Sequence, residues 1–268
     1  MITNSQPALD LRDFAAVLFD LDGTIWHEHL PLPGAVSLVQ QLQECDHPHG
    51  FVSNSSASPA RVVRRLAAIG LIVTEQTILT AAAAACDYVL NTFGPGARVF
   101  NIANPSIDEL LSNRAMLLDD ECKDCDAVLA SGLAHGSATL IRLQKALRLL
   151  MRGASLIGLC ADRAYPTPRG FEIGAGGVTA MLAYAAGVPA TYCGKPEPWF
   201  FEDICHRLQV PPHRCLLIGD NLEADIAGAR RVGMTTILTL TGLATPEAVA
   251  KAIDKPDAVV NNLSELLF

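Results

Sequence analysis

Short apolar runs alternate with helix-like segments along the chain. Runs at 15–19, 50–53 and 215–218 are short, continuous and apolar, and further runs follow at 234–240 and 258–259. Such runs indicate strands that are buried on both faces. Because helix-like segments separate them, the pattern predicts a parallel sheet covered by helices, which is an α/β fold.

Helix start signals stand between these runs. Pro33 and Gly34 open a segment that we expect to be helical to about residue 45. Ser58 occupies the position of an N-cap, and Pro59 is then the first residue of a helix to about residue 69. A further helix is predicted after the polar turn that follows residue 218, and it runs through residue 232.

The middle of the chain repeats this alternation as a second series. The predicted helices of this series cover 81–92, 105–113 and 137–152. Its predicted strands cover 99–103, 127–130 and 156–160. The segment "RAYPTPRGFEIGAGG" is rich in proline and glycine, so we predict a long loop there. We therefore interpret residues 81–186 as an inserted domain, and residues 1–80 and 187–268 as the two parts of a core.

Composition narrows the class of protein. The chain has 268 residues, 50% of them hydrophobic, which is enough for one large domain or two. Its net charge is −8 and no lysine or arginine block exceeds two residues, which argues against nucleic acid and anionic membranes as partners. No apolar run approaches the roughly 20 residues of a membrane span, and no secretory signal is visible. We therefore expect a cytoplasmic location, in which the eight scattered cysteines are reduced thiols.

Polar residues follow the apolar runs at the points where the predicted strands end. Asp20 and Asp22 end the first run in "VLFDLDGTIW", and Asp220 and Asp225 follow the run at 215–218. Ligands bind beyond the carboxyl ends of the strands in parallel sheets. Carboxylates this close need compensation by a cation, and hard oxygen ligands suit Mg²⁺, which also accepts phosphate as a ligand.

This arrangement predicts phosphoryl transfer to a carboxylate. A Mg²⁺ ion held by Asp20 and Asp220 would leave one oxygen of Asp20 free to attack phosphorus and form an aspartyl-phosphate. Asp22 would act as general acid to the leaving alcohol and then as base to water. A solvent-facing Asp-Gly turn is the simpler alternative for this pair, and it does not account for the other polar strand ends.

Three further residues fit the same chemistry. Ser53 and Asn54 offer hydroxyl and amide donors to phosphate oxygens, and Lys195 in "GKPEP" offers a fixed positive charge. Taken alone, Lys195 would be interpreted as a surface lysine and Ser53 as a helix cap, although Ser58 already supplies that cap.

Four motifs in this order resemble those of the haloacid dehalogenase superfamily of phosphatases, in its NagD-like or p-nitrophenyl-phosphatase branch (subfamily IIA). They are "DxDGT" at 20–24, a Ser-Asn-Ser form of the second motif at 53–55, the lysine of "GKPEP", and "GDxxxxDI" at 219–226. The resemblance covers nearly the whole chain. It implies a Rossmann-like core, a Mg²⁺-dependent aspartate nucleophile and a mobile, large α/β cap of the C2 type, inserted after the second motif.

The resemblance also implies individual roles. Asp20 corresponds to the nucleophile and a metal ligand, and Asp22 to the acid/base residue whose backbone carbonyl binds the metal. Asp220 corresponds to a further metal ligand, and Asp225 belongs to the metal site, where it fixes Lys195 or a metal-bound water.

Two positions depart from the family pattern. Ser55 replaces the second asparagine of the second motif, and Ala224 replaces a frequent threonine. Neither change removes a catalytic group, but Ser55 leaves the positioning of the phosphate open. We count Ser53, Asn54 and Ser55 as predicted phosphate-binding residues.

The inserted domain is expected to select the substrate. Its charge balance is close to zero, so it offers no field for a polyanion. Similar family members present the 160–177 region to the active site, with an asparagine where this chain has Cys160. We therefore expect a small phosphorylated metabolite whose polar or carboxylate end meets Arg163 or Arg169, with Asp162 orienting one of them; the alternative of three solvated loop charges stays open. The family's large caps also suggest a homodimer.

Three other patterns are assigned to structure rather than chemistry. Cys122 and Cys125 form a C-x-x-C that lacks further zinc ligands nearby, so we interpret it as a loop with two thiols. His27 and His29 in "WHEH" are expected in a hairpin flap rather than a metal cluster. "GAGGVTA" lacks the full dinucleotide spacing and is interpreted as a loop entering a helix at 178–186.

These observations predict a Mg²⁺-dependent phosphatase acting on a small-metabolite phosphomonoester. A dehalogenase needs no metal and no acid at the position of Asp22, and a signalling receiver module is about half as long and has no inserted domain. A non-catalytic protein that binds a phosphorylated ligand on the same fold stays as the alternative.

Overall fold

A computed structural model describes residues 9–28, 30–133, 138–167 and 170–268 of the chain. The strands of this part are β1 (Ala16–Asp20), β2 (Trp26–His27), β3 (Leu30–Pro31), β4 (His49–Ser53), β5 (Ile78–Thr80), β6 (Arg98–Asn101), β7 (Met116–Leu117), β8 (Ala127–Ala130), β9 (Ser155–Gly158), β10 (Ala164–Thr167), β11 (Gly170–Ile173), β12 (Ala190–Tyr192), β13 (Cys215–Gly219), β14 (Thr235–Thr239) and β15 (Ala258–Val260).

The helices of the same part are α1 (Ala35–Glu44), α2 (Pro59–Ala68), α3 (Ala81–Phe93), α4 (Ser106–Leu111), α5 (Leu140–Leu150), α6 (Ala175–Ala186), α7 (Pro198–Leu208), α8 (Gly228–Arg231) and α9 (Pro246–Lys251). A π-helical turn, Leu222–Ala227, precedes α8. Within the described residues, no helix reaches the length and apolar character that a membrane crossing requires.

The chain divides into two compact units. The first contains the residues up to Ser53, together with Ala60–Leu79 and Pro198–Phe268, and the second contains Asn54–Pro59 and Thr80–Glu197. The second unit extends about ten residues past the predicted return to the core at residue 187. The reason is β12, a strand that the sequence analysis missed, which pairs in parallel with β9 in the sheet of the second unit.

The first unit is built on a six-stranded sheet with the order β15-β14-β13-β1-β4-β5. β1 pairs in parallel with both β13 and β4, and every residue of β1 and β13 is buried. This burial on both faces explains why the two strands are continuous apolar runs. The predicted α/β class with a parallel sheet is confirmed.

The strand register places the polar ends of this sheet together. Phe19 lies opposite both Ile218 of β13 and Phe51 of β4, so β1, β13 and β4 end side by side. Asp20 closes β1 and Ser53 closes β4. Because parallel strands direct their carboxyl ends to one edge, the residues that follow these strands share that edge.

The second unit has a five-stranded sheet with the order β12-β9-β8-β6-β7, and each pair of neighbours is parallel. Its core contains Phe100, Val128 and Leu156 from the strands and Leu149 and Leu182 from α5 and α6. This unit therefore repeats the parallel α/β arrangement around a core of its own.

The predicted long loop at 163–177 is wrong. β10 and β11 pair in an antiparallel hairpin over most of that segment, and the Tyr165 hydroxyl donates to Glu172 Oε2 across the two strands at 2.8 Å. Cross-strand hydrogen bonds outweigh the proline and glycine content that favoured a loop.

The glycines of "GAGGVTA" have a packing role. α6 begins at Ala175 rather than at residue 178, so this stretch forms the first turn of the helix. A Cβ atom at Gly174 would lie 2.2 Å from the carbonyl oxygen of Asp162, and one at Gly176 would lie 2.4 Å from that of Ala161. The glycines thus allow the loop after β9 to pack directly on the start of the helix.

Candidate active site

Three buried carboxylates meet at the carboxyl edge of the sheet in the first unit. Asp20 ends β1, Asp220 directly follows β13, and Asp225 lies in the π-helical turn. One carboxylate oxygen of each lies within 4.8 Å of the others, and all three residues are buried. We call Asp20, Asp220 and Asp225 the carboxylate cluster. Three such oxygens in one buried place suit a hard divalent cation such as Mg²⁺.

Backbone N–H groups hold two members of the carboxylate cluster. Leu243 N–H donates to Asp220 Oδ2 at 2.7 Å, and Asn221 N–H donates to Asp225 Oδ2 at 3.1 Å. Hydrogen bonds to a carboxylate are charge-assisted and therefore stronger than those between neutral groups. The second oxygen of each carboxylate can then face a cation while the first is held in place.

Two glycines allow the backbone to approach Asp220 closely. A Cβ atom at Gly23 would lie 2.5 Å from Asp220 Oδ2, and one at Gly242 would lie 1.9 Å from the same atom. Gly23 also has φ of +94°, which L-residues with side chains rarely adopt. The glycine of "DxDGT" is thus required for space as well as for conformation. Gly242 carried no signal that the sequence analysis used.

The loop after β14 is tied to the loop after β1. Thr241 Oγ1 donates to the Gly23 carbonyl oxygen at 2.6 Å, and His27 Nε2 lies 3.1 Å from the Thr241 carbonyl oxygen. His27 belongs to the β2–β3 hairpin, in line with the predicted flap, and His29 lies outside the described residues. In the ranges that the structure describes, His27 does not belong to a cluster of three metal-ligating side chains.

Asp22 has a separate environment. Its side chain is exposed and is not part of the carboxylate cluster. Asp22 Oδ1 accepts a hydrogen bond from Trp26 Nε1 at 2.8 Å, and the buried Trp26 ring lies 4.2 Å from the Arg65 guanidinium carbon. The structure thus groups three of the four predicted metal-binding aspartates by their carboxylates. A metal contact through the Asp22 backbone carbonyl stays a prediction.

In the second unit, Asn54 holds the backbone of Lys195. The Lys195 N–H donates to Asn54 Oδ1 at 2.8 Å, and Asn54 Nδ2 donates to the Lys195 carbonyl oxygen at 3.1 Å. Asn54 Nδ2 also donates to Asp162 Oδ2 at 3.0 Å. We call Asn54, Asp162 and the Lys195 backbone the amide clamp. The sequence predicts all three residues at the site but not these contacts.

The loop after β9 contributes Asp162 and its neighbours. Asp162 Oδ2 also accepts a hydrogen bond from the Cys160 thiol at 3.2 Å. Burial raises the pKa of Cys160, and the nearby Asp162 carboxylate raises it further. Arg163 is exposed, and its carbonyl oxygen accepts a hydrogen bond from Gly174 N–H at 2.9 Å. Arg169 lies outside the described residues, so its predicted contact stays a prediction.

The two serines of the second motif differ in their surroundings. Ser53 is buried at the end of β4 in the first unit. Ser55 Oγ, in the second unit, accepts a hydrogen bond from Ala57 N–H at 3.1 Å, which stabilises the local turn. The serine that replaces the usual asparagine therefore has a role in the backbone turn, and its contact with phosphate stays a prediction.

The C-x-x-C pair packs against the core of the second unit. Cys122 and Cys125 are half-buried beside that core. Burial, with a smaller contribution from Cys122, raises the pKa of Cys125 to about 12, so this thiol is protonated at neutral pH. Among the described residues, neither cysteine belongs to a cluster of three possible metal ligands. These observations favour the interpretation of two structural thiols.

Two family models match parts of the chain. A model described as haloacid dehalogenase-like hydrolase matches residues 17–115, and one described as HAD-hydrolase-like matches residues 192–266. Between them they include both sides of the inserted segment and all four motifs.

Relatives of similar length match the chain almost from end to end. An acid sugar phosphatase of Staphylococcus saprophyticus is 28% identical over 259 residues, covering 96% of this chain and 98% of the relative. The 5'-nucleotidase YutF of Bacillus subtilis is 27% identical over 256 residues, with coverage of 95% and 98%. The crystal structure of a 4-nitrophenylphosphatase from Thermotoga maritima superimposes with a TM-score of 0.87 at 29% identity, covering 96% of this chain and 97% of that one.

Proposed function

The chain belongs to the NagD-like p-nitrophenylphosphatase branch of the haloacid dehalogenase-like hydrolases and is a phosphoric monoester hydrolase, and from this premise we propose its mechanism and its class of substrate. We propose that it hydrolyses a small-metabolite phosphomonoester, with Mg²⁺ as cofactor and an aspartyl-phosphate on Asp20 as intermediate. The observation that carries this proposal is the carboxylate cluster at the carboxyl edge of the first sheet.

The donor set of the carboxylate cluster fits Mg²⁺. Its members offer three hard oxygen ligands, and backbone N–H groups already fix one oxygen of Asp220 and one of Asp225. When bound, Mg²⁺ would neutralise charge on the carboxylates and the phosphate and so allow an anionic nucleophile to approach. We assign the cation to Asp20, Asp220 and Asp225, and to the Asp22 backbone carbonyl from the family resemblance.

The reaction then proceeds in two displacements. An oxygen of Asp20 forms a bond to phosphorus while the ester P–O bond breaks, and the leaving oxygen takes a proton from Asp22. Water next attacks phosphorus, the bond to Asp20 breaks, and Asp22 accepts the proton of the water. Trp26 Nε1 orients the Asp22 carboxylate for both proton transfers.

We assign binding of the phosphate to the remaining motif residues. Ser53 and Ser55 would donate from their hydroxyl groups, and Lys195 would stabilise the charge that develops in the transition state. Both Nδ2 protons of Asn54 are used within the second unit, so a side-chain contact between Asn54 and phosphate would break one of these bonds.

The leaving group is expected to be small and polar. The relatives named above act, by their names, on a sugar phosphate, a nucleotide and 4-nitrophenyl phosphate, which share only the phosphate ester. We propose that Arg163 or Arg169 binds the polar or carboxylate end of the metabolite and that Asp162 orients the arginine.

The proposal also includes a homodimer and a cytoplasmic location. Sedimentation tests the first, and cell fractionation tests the second.

A phosphate-release screen tests the function. Purified protein is incubated with a panel of metabolite phosphates and nitrophenyl phosphate, with Mg²⁺, with EDTA, and with EDTA followed by excess Mg²⁺. We expect release that EDTA abolishes and Mg²⁺ restores. Activity that survives exhaustive chelation would contradict the role of the cation, and tight binding of a phosphate ester without release would favour the non-catalytic alternative.

Two arginine variants test the choice of leaving group. Arg163→Ala and Arg169→Ala should lower kcat/KM for the best metabolite and spare nitrophenyl phosphate, which has no polar end of this kind. Wild-type values for both variants on every substrate would show that specificity resides elsewhere.

A further inference from the structure

The carboxamide of Asn54 contacts both backbone polar groups of Lys195, which belong to two successive peptide units. Its oxygen accepts from the Lys195 N–H at 2.8 Å and its nitrogen donates to the Lys195 carbonyl oxygen at 3.1 Å. Hydrogen bonds on both sides of one Cα atom restrict the orientation of the residue more than a single bond would. They therefore fix the direction in which the Lys195 side chain leaves the backbone.

The remaining proton of the carboxamide is also used. Asn54 Nδ2 donates to Asp162 Oδ2 at 3.0 Å, so both of its protons and its oxygen are engaged in this one unit. Asparagine is the residue that fits, because an aspartate offers no donor and an alanine offers neither group. Because the Asp162 carboxylate accepts one amide proton, it fixes which edge of the Asn54 amide group is directed at Lys195.

The surroundings of the amide clamp leave it little freedom. Lys195 is 2% exposed. A Cβ atom at Gly194 would lie 2.5 Å from Asn54 Oδ1, so only glycine lets the two segments approach this closely. On the other side, the carbonyl oxygen of Asp162 accepts a hydrogen bond from Gly176 N–H at 2.9 Å, which holds the loop after β9 on the first turn of α6.

We propose that Asn54 is a positioning residue for Lys195, and that Asp162 in turn orients Asn54. The proposal rests on the proposed function for the role of Lys195 as the positive charge at the phosphate. It replaces the sequence-based expectation that the Asn54 side chain donates directly to phosphate. Asp162 then acts on turnover with every substrate, including those that have no polar end for Arg163 or Arg169.

The effect should fall mainly on kcat. A lysine that is misplaced by a fraction of an ångström still attracts the phosphate of the bound substrate, but it stabilises the transition state less well. For Asn54→Asp, the oxygen that accepts from Lys195 N–H remains, both donors are lost, and a second carboxylate faces Asp162. We expect kcat for nitrophenyl phosphate to fall about 30-fold or more and KM to change less than about threefold.

A rescue experiment separates positioning from phosphate binding. In Asn54→Asp/Asp162→Asn, the amide of the new asparagine can donate to the new aspartate, so the link between the two side chains is restored with its polarity reversed. We expect this double variant to recover part of the kcat lost in Asn54→Asp and not all of it, because an aspartate at position 54 still offers no donor to the Lys195 carbonyl oxygen. Asn54→Asp/Asp162→Ala removes the repulsion between carboxylates without restoring the bond and should recover clearly less.

The controls test folding and direct contact. Asn91→Ala, an exposed asparagine on α3, should leave activity unchanged, and melting temperatures show whether each variant is folded. Hydrogen exchange at the Lys195 amide gives a second readout that does not depend on turnover. Exchange should be at least tenfold faster in Asn54→Ala than in the wild type, because the acceptor of that N–H is removed.

The possible results are distinguishable. If the wild type releases no phosphate from any ester, the proposed function fails, and the exchange rate still decides whether the amide clamp exists. Unchanged exchange in folded Asn54→Ala overturns the proposal whatever the activity. Wild-type kcat in folded Asn54→Asp, or equal recovery in the two double variants, also overturns it.

Discussion

The carboxylate cluster and the amide clamp are two polar edges of parallel sheets, built in opposite ways. The cluster concentrates three buried acids on one unit, where backbone N–H groups and glycines hold Asp220 and Asp225. The clamp is a mostly neutral network in which one side-chain amide holds the backbone of a buried lysine. In the carboxylate cluster, the side chains at the edge of the sheet are themselves the reacting and ligating groups. In the amide clamp, the side chains at the edge position the backbone from which the functional lysine extends.

This difference predicts different costs of substitution. Removing a member of the carboxylate cluster removes a reacting or ligating group, so activity is lost outright. Disturbing the amide clamp leaves every reacting group in place and changes geometry, so part of the activity remains. The following variants test that ranking, starting with the largest expected effect.

Asp20→Asn should abolish turnover and leave the fold intact. The amide cannot attack phosphorus and is a poor ligand for Mg²⁺, so we expect phosphate release to fall by at least about 10³-fold. Asp46→Asn, at an exposed position in the same unit, makes the same change of charge and serves as the control. A folded Asp20→Asn protein that kept a tenth of wild-type activity would disprove the assignment of the nucleophile.

Two glycine-to-alanine variants compare the edges directly. In Gly242→Ala the new Cβ atom would lie 1.9 Å from Asp220 Oδ2, so we expect a loss of about 100-fold in kcat and a weaker response to Mg²⁺. In Gly194→Ala the overlap is with Asn54 Oδ1, so we expect a loss of about tenfold and the wild-type response to Mg²⁺. Titrations of activity with Mg²⁺ measure both effects. If the Mg²⁺ concentration for half-maximal activity rose equally in both variants, the two edges would not differ in their link to the cation.

Asp22 and its tryptophan partner should show a dependence on the leaving group. Asp22→Ala removes the proton donor, so alkyl phosphates should lose about 10² to 10⁴-fold and nitrophenyl phosphate clearly less. Trp26→Phe removes the hydrogen bond to Asp22 Oδ1 together with part of a buried ring that packs on Arg65, so its melting temperature is compared with that of the wild type. In the folded variant we expect a selective loss of about tenfold for alkyl phosphates. Rates on a sugar phosphate and on nitrophenyl phosphate test this, and equal losses on both substrates would argue against acid catalysis by Asp22.

Asp257→Ala should affect stability without affecting turnover. Despite the opposing effect of partial burial, hydrogen bonds from Thr236 and Arg230 lower the pKa of Asp257. Since the folded pKa is lowered, the carboxylate stabilises the fold above the unfolded pKa of about 3.9, and this contribution disappears as pH falls through the folded value. We expect a loss of about 1 kcal/mol at pH 7.

Denaturant unfolding at several pH values measures that difference. The gap between wild type and Asp257→Ala should shrink below about pH 4. Asp254→Ala, at an exposed aspartate three residues away, is the control and should change little. A gap between wild type and Asp257→Ala that stays constant down to pH 2 would contradict the assigned contribution of the carboxylate.

The sequence by itself determined where the core strands end along the chain and which acidic residues lie at those ends. A strand buried on both faces must be a short apolar run, so its end is visible wherever a polar residue interrupts the run. Asp20 and Asp220 were therefore predictable as residues at the carboxyl ends of strands. The motif order then supported the family, the α/β class and the phosphatase activity, all of which are confirmed.

Pairing between distant segments was decided by the tertiary structure. β12 has three residues and is recognisable as a strand only by its bonds to β9, and the β10–β11 hairpin forms in a segment whose composition favours a loop. Local composition reports the preference of a short segment, whereas strand pairing depends on a partner that the segment does not contain.

The amide clamp shows the same limit most clearly. Asn54 lies 108 residues from Asp162 and 141 residues from Lys195 in the sequence. Each of these residues belongs to a motif or a loop that the sequence marked as functional, but their hydrogen bonds join side chains to a distant carboxylate and a distant backbone. Residue types can be read from a sequence, but the donor and acceptor distances that give Asn54 its role arise only when the chain has folded.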